Sequence, residues 1–125
     1  MTQNQKPPTY MFVIRNPGAS ACPTEPTPEQ MQQSFEKWMS WIAGMKSKSQ
    51  YLAGDPLEEV GRVLRGPRGG SVTDGPFAEA KEVVSGYMLI KADSLGHAAT
   101  IAKDCPIYDE TGGSVEIRQI RLIPM

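Results

Sequence analysis

Asp74, Glu79, Lys81 and Glu82 place three carboxylates and one ammonium within nine positions of the chain. They follow directly on turn chemistry. In Asp74-Gly75-Pro76, glycine permits φ > 0, proline fixes φ, and aspartate can accept a hydrogen bond from the backbone just after it. A turn needs about one of these groups, which leaves the others free to form a site. Asp74 has two compatible readings. It pins the turn through its carboxylate, or it is held in a cleft as a ligand group or general acid/base. Phe77 reads as a pocket wall or core anchor. Glu79, Lys81 and Glu82 read either as a salt-bridged surface run or as the rim of a cleft. Arg15, at the end of an apolar run, and Tyr87, inside another, are candidate polar lining. Arg15 suits an anionic ligand.

Other chemistries find little footing. His97 is the only histidine, and Cys22 and Cys105 are far apart, so neither zinc spacing nor a Cys–His pair is present. The chain lacks a Walker loop, a strand followed by GxGxxG, and a GxSxG elbow. No metal or cofactor is expected. With a formal net charge of −1, the chain has no footprint for direct nucleic-acid or membrane-surface binding. The two cysteines read as free thiols in a reducing compartment. No apolar run reaches the roughly 20 residues that span a bilayer, and Met1 to Pro8 is polar, so the expected location is the cytoplasm.

At 125 residues the chain is of single-domain size. Residues 1–9 read as a flexible leader and 10–125 as the domain. Tyr10 to Arg15 reads as a strand with both faces apolar. A proline-rich loop then leads to Thr27, Pro28 and Gln30, a capping box with proline at the first helical position. In the helix that follows, Met31, Phe35, Trp38, Met39, Ile42 and Met45 trace one face, expected to be core. Tyr51 to Leu57 reads as a connection turning at Gly54-Asp55-Pro56.

Val60 to Arg65, Gly66 to Gly70 and Ser71 to Asp74 read as a hairpin with a basic loop. The long strand Val83 to Ala92 has two largely apolar faces, with Gly86 marking a bulge or a close backbone approach. Ser94 caps a second helix carrying Leu95, Ala98, Ala99, Ala102 and Cys105 on one face, and His97 falls in its first turn. Ile107 to Ser114 reads as a loop and Val115 to Ile123 as the last strand. That strand's apolar phase switches midway, as a bulge or a crossing into a partner's core would produce. The order β-α-β-β-β-α-β fits an α+β, ferredoxin-like (split βαβ) antiparallel sheet with two helices on one face. Two helices cover one side of such a sheet. The apolar second face predicts a homodimer built by sheet-to-sheet packing.

Asp74-Gly75-Pro76-Phe77, followed by Ala78-Glu79 and Lys81-Glu82, resembles the signature of the DGPF group of the YCII-related family. The resemblance continues through Gly86-Tyr87, Ala92 to Leu95, Cys105-Pro106 and Gly113 to Arg118, over roughly residues 10–123. It implies a ferredoxin-like subunit of the dimeric α+β barrel type. It also implies a cleft beside the sheet with an Asp–His pair, the Asp mapping onto Asp74. Residues 28–48 contain no histidine, so that pair is not supported, and whether the chain is an enzyme stays open, with the reading leaning to no. The expectation is a small-molecule-binding protein with a cleft near Asp74. Two alternatives stand beside it: a weak acid–base enzyme using Asp74, and a regulatory module. The resemblance links the regulatory alternative to partners of the sigma-factor type.

Overall fold

A computed structural model describes residues 8–17, 26–75 and 82–123. β1 (Thr9–Pro17) leads to α1 (Pro28–Ser47), β2 (Tyr51–Pro56), β3 (Gly61–Arg65) and β4 (Ser71–Gly75). β5 (Glu82–Lys91), α2 (Leu95–Ala102), α3 (Ile107–Thr111) and β6 (Ser114–Gln119) complete the chain. Four strands form one antiparallel sheet in the order β2-β5-β1-β6, and β3 pairs with β4 in a separate two-stranded sheet. With the hairpin set aside, β1-α1-β2-β5-α2-β6 is the split βαβ plan, so the protein is α+β and ferredoxin-like.

The central strands alternate as a half-covered sheet requires. Tyr10, Phe12 and Ile14 of β1 are buried, as are Met88 and Ile90 of β5. They meet Trp41 and Met45 of α1, Ala98, Ile101 and Ala102 of α2, and Ile107 of α3 in one core. Phe12 stacks on Trp41, with ring centroids 6.3 Å apart and planes 7° from parallel. The Trp41 indole N–H donates to the Ile101 carbonyl (3.2 Å) and the Trp38 N–H to Glu110 (3.0 Å), tying α1 to α2 and α3. Met11, Val13, Tyr87 and Leu89 point to the other, open face and stay half-buried.

The capping box forms as its residues require. Thr27 Oγ1 accepts from the Gln30 amide (3.1 Å), and Gln30 Oε1 accepts from the Thr27 amide (2.8 Å). Ser94 caps α2 by accepting from the His97 amide (3.1 Å), and His97 Nδ1 accepts in turn from the Asp93 amide (3.0 Å). His97 is therefore a helix-start residue. Ser94→Ala is expected to cost about 1 kcal/mol in urea unfolding, and Ser94→Asp to recover most of it.

Gly86 marks both features expected of it. Ile14 pairs with Gly86 and Arg15 with Val84, so Ser85 is a bulge without a β1 partner. Its hydroxyl donates to the Ile14 carbonyl (3.3 Å), and its carbonyl accepts from the Leu57 amide (2.8 Å). A Cβ on Gly86 would stand 3.1 Å from the Asp55 carbonyl. The extra residue changes the phase of the strand. Val84, aligned in sequence with the core residues, is exposed instead.

Five expectations are corrected. Tyr51 to Pro56 is an edge strand and not a turning connection. Pro56 ends β2, where a missing N–H costs no ladder bond, and Gly54 is needed because a Cβ there would fall 2.8 Å from Met88 Cγ. Residues 107–111 form the short helix α3, whose last turn closes at Gly112 in the left-handed region (φ 71°). β6 stops at Gln119, so its phase switch is the end of the strand: the Ile120 amide donates to Thr9, and Leu122 and Ile123 are exposed. In α1, Trp41 and Met45 are buried, whereas Met31 (54%), Phe35 (59%) and Met39 (43%) are exposed. α2 shows a smaller shift of the same kind, ending at Ala102 with Leu95 exposed and Ile101 buried.

Candidate functional site

Asp74 lies one residue from the end of β4, paired across the hairpin with Arg62. Directly opposite residues on an antiparallel pair project from the same face. The two side chains, with Glu59, Val60, Gly61 and Gly75, line an open groove of about 540 Å³. Gly75 is needed there, because a Cβ would fall 2.7 Å from Val63 Cγ2. Asp74 is exposed, and among the described residues its carboxylate has no hydrogen-bond or ion-pair partner. Two carboxylates and one guanidinium around a groove can hold a small polar molecule bearing both kinds of charge, or one cationic group.

A second polar group crosses the open face of the main sheet. Asp55, Tyr87, Val13 and Glu116 stand in one row on β2, β5, β1 and β6. The Tyr87 hydroxyl donates to Asp55 Oδ2 (3.0 Å), and this bond, with the carboxylate's charge, pushes the phenol above its ordinary range. Burial, and then Asp55, do the same to Tyr51. Arg15 Nη1 sits 2.5 Å from Glu116 Oε1, and Arg118 Nη1 3.3 Å from Glu116 Oε2. The Arg15 bond, followed by that from Arg118, holds the Glu116 carboxyl below its ordinary range.

A lowered carboxyl pKa contributes stability above the unfolded value, and that contribution is lost as pH falls through the folded one. The wild type is therefore expected to lose stability on acidification below the ordinary carboxylate range. Glu116→Gln should lose less over the same interval, measured by urea unfolding at a series of pH values. Tyr87 works in the opposite direction: its contribution is present below the unfolded phenol pKa and is lost as pH rises through the raised one.

The residues expected to share one cleft are distributed over two sheets. Asp74 belongs to the hairpin groove. Arg15 and Tyr87 lie on the open face of the main sheet, engaged by Glu116 and Asp55. Phe77, Glu79 and Lys81 lie outside the described residues, as does the Gly75-Pro76 turn beyond Gly75 and the loop holding Cys22. Glu82 accepts from the Ser114 hydroxyl (3.1 Å). Sequence reasoning missed Asp55, Glu59 and Glu116. Asp55 was hidden in an apparent turn. The alternation of Glu116 and Arg118 with Val115 and Ile117 was the legible signal for the polar row. Cys105 is buried and its thiol is pushed up to about 11, chiefly by burial, which leaves it unreactive near neutral pH. Among the described residues no group of His, Cys, Asp and Glu is arranged to hold a metal ion, and no helix is long and apolar enough to cross a membrane.

A family model, the YCII-related domain, matches residues 9–124. The chain belongs to the YCII-related family. A 51-residue stretch of this YCII-related chain is 43% identical to an uncharacterised protein of Rhizobium meliloti (strain 1021). That stretch is 41% of the chain and 41% of the relative, so the match spans less than half of the relative's length.

Proposed function

We propose that this YCII-related protein is a cytoplasmic, non-catalytic homodimer that binds a small polar metabolite in the groove beside Asp74. The observation that carries the reading is the groove itself. It holds about 540 Å³ and is lined by the cross-strand pair Arg62 and Asp74 with Glu59 beside them. Asp74 and Glu59 anchor a cationic or hydroxyl-rich part of the ligand, and Arg62 takes an anionic part. Phe77, Glu79 and Lys81, which follow β4 in the chain, are proposed as ligand-binding residues from the sequence alone. Catalysis has weaker support: residues 28–48 hold no histidine, and His97 serves the start of α2. The apolar open face of β1 and β5 supports a dimer made sheet to sheet.

The test is a thermal-shift screen of a metabolite library against the wild type and Asp74→Asn in parallel. A compound that raises the melting temperature of the wild type alone is the expected result. If no compound binds and Asp74→Asn melts several degrees lower, Asp74 is a structural residue and the binding reading falls.

One observation favours a second reading, that of a regulatory module with a partner of the sigma-factor type. Met31, Phe35 and Met39 form an exposed apolar stripe at helical spacing on α1, flanking the residues that α1 turns to the core. Phe35→Lys should abolish capture of such a partner without changing the melting temperature by more than about 2 °C, the usual small effect of an exposed substitution.

A further inference from the structure

We propose that the β3–β4 hairpin is a docking arm that lies on the open sheet face of a second copy of this chain, so that the Asp74 groove is closed only in the dimer. The inference rests on the dimeric, ligand-binding reading above and replaces its sheet-to-sheet contact with a hairpin-on-sheet contact. It adds which parts of the two copies meet and where the site acquires its second wall.

The hairpin lacks what a two-stranded sheet needs. Among the described residues it packs chiefly on itself and on its tip, the tight turn Pro67–Gly69, and is not hydrogen-bonded into the main sheet. An isolated hairpin is marginally stable in water and depends on a further strand or a packing surface. Yet Val60, Leu64 and Val72 are 85%, 60% and 52% exposed. Leu64 and Val72 are directly paired, so they make one continuous apolar spot. The open face of the main sheet has the matching deficit, with half-buried Met11, Val13 and Leu89 clustered on β1 and β5 and, among the described residues, no helix in the core on that side. Because both deficits belong to the same chain, a two-fold contact satisfies each of them twice.

Charge selects the same occupant. The hairpin is polarised, with Arg68 at its tip and Glu58, Glu59 and Asp74, against Arg62, at its foot. The open face is polarised as well, with the Asp55 carboxylate on β2 at one edge and Arg118 and Arg15, sharing Glu116, toward the other. Laid across a partner's sheet, the hairpin sets its basic tip toward Asp55 and its acidic foot toward the arginine edge. A uniformly acidic or basic partner would suit only one end.

In that placement the groove gains what it lacks. All of its described lining comes from the hairpin and its approach, whereas a ligand site ordinarily buries most of its ligand. Arg118 of the partner subunit, exposed and at the edge of the sheet, then faces Glu59 and Asp74.

The test is sedimentation equilibrium of the wild type, Leu64→Ser/Val72→Ser, Arg68→Glu and Met11→Glu. Far-UV circular dichroism follows folding, and amide hydrogen exchange is measured on the wild type at low and high concentration. Leu64, Val72 and Arg68 are exposed, so their replacement leaves the helices intact. The expected result is a dimeric wild type whose dissociation constant rises at least about tenfold in both hairpin variants. The amides of β3 and β4 should exchange more slowly as the concentration is raised. If the hairpin variants dimerise as tightly as the wild type while Met11→Glu is monomeric, the sheet-to-sheet dimer stands and the docking arm is overturned. Hairpin exchange independent of concentration in a dimeric wild type overturns it as well. A wild type that stays monomeric throughout overturns both readings.

Discussion

Phe12→Ala is expected to destabilise the protein by about 3–5 kcal/mol, the range for emptying a well-packed aromatic site. Phe12 is 0% exposed and sits on the central strand β1, between its partners Met88 on β5 and Ile117 on β6. Its ring lies flat against Trp41, so truncation removes both the apolar burial and the stacked contact that orients α1 on the sheet. The surroundings have little freedom to collapse, because Trp41 is also held by its hydrogen bond to Ile101. For a domain of this size the loss corresponds to a fall in melting temperature on the order of 15 °C. Calorimetry on the wild type, Phe12→Leu and Phe12→Ala checks it. Phe12→Leu, which keeps most of the volume, should lose less than half as much.

Gly113→Ala is the second large effect, and its cause is space and not backbone conformation. A Cβ at Gly113 would fall 2.2 Å from the Arg15 carbonyl oxygen and 2.7 Å from Ile107 Cγ1. A backbone oxygen cannot rotate away, so the start of β6 must leave β1. The pairing of Arg15 with Ser114 goes first, and the Arg15–Glu116 bond is strained with it. The expected cost is about 3 kcal/mol or more, the upper end for overpacking. Gly112→Ala is the internal comparison. Gly112 has φ 71°, but a Cβ there would meet nothing within 4 Å, so only the left-handed penalty of roughly 1–2 kcal/mol applies. Gly113→Ala should also flatten the acid dependence of stability, because it disturbs the pair that lowers the Glu116 pKa. Urea unfolding of both variants at neutral and acidic pH measures the two effects together.

Strong local rules made part of this architecture legible. The Thr27–Gln30 box and the Ser94 cap depend on residues within one turn, and both formed as read. The two-sided apolar patterns of β1 and β5 marked the central strands of the sheet. The failures come where tertiary context outweighs local chemistry. Gly54-Asp55-Pro56 has the composition of a turn, but the glycine is there to let β2 approach Met88 and the proline ends an edge strand. Helix α1 carries large apolar residues over a broad arc, so the sequence alone could not say which part of it meets the sheet. Trp41 won that place, and Met31, Phe35 and Met39 were left outside.

The candidate site was legible in types more than in grouping. Asp74 and its charged neighbours stood out. The partners that give Arg15, Tyr87 and Asp74 their surroundings lie 101, 32 and 12 positions away, at Glu116, Asp55 and Arg62. Separations of this kind are set by strand register, which a local reading does not reach.

Both tryptophans of the chain sit in α1, one buried and the other half-buried with its N–H on Glu110. They lie edge to face, 5.7 Å apart. Intrinsic fluorescence therefore watches the junction of α1 with the sheet and α3, and is blind to the hairpin, which shares no core with them. A dissolved quencher such as iodide should reach Trp38 and spare Trp41, giving a curved quenching plot. A ligand entering the Asp74 groove should leave the emission unchanged, so a binding assay that relies on tryptophan would score a true ligand as inactive. A tryptophan introduced at exposed Val72 would give the hairpin its own signal.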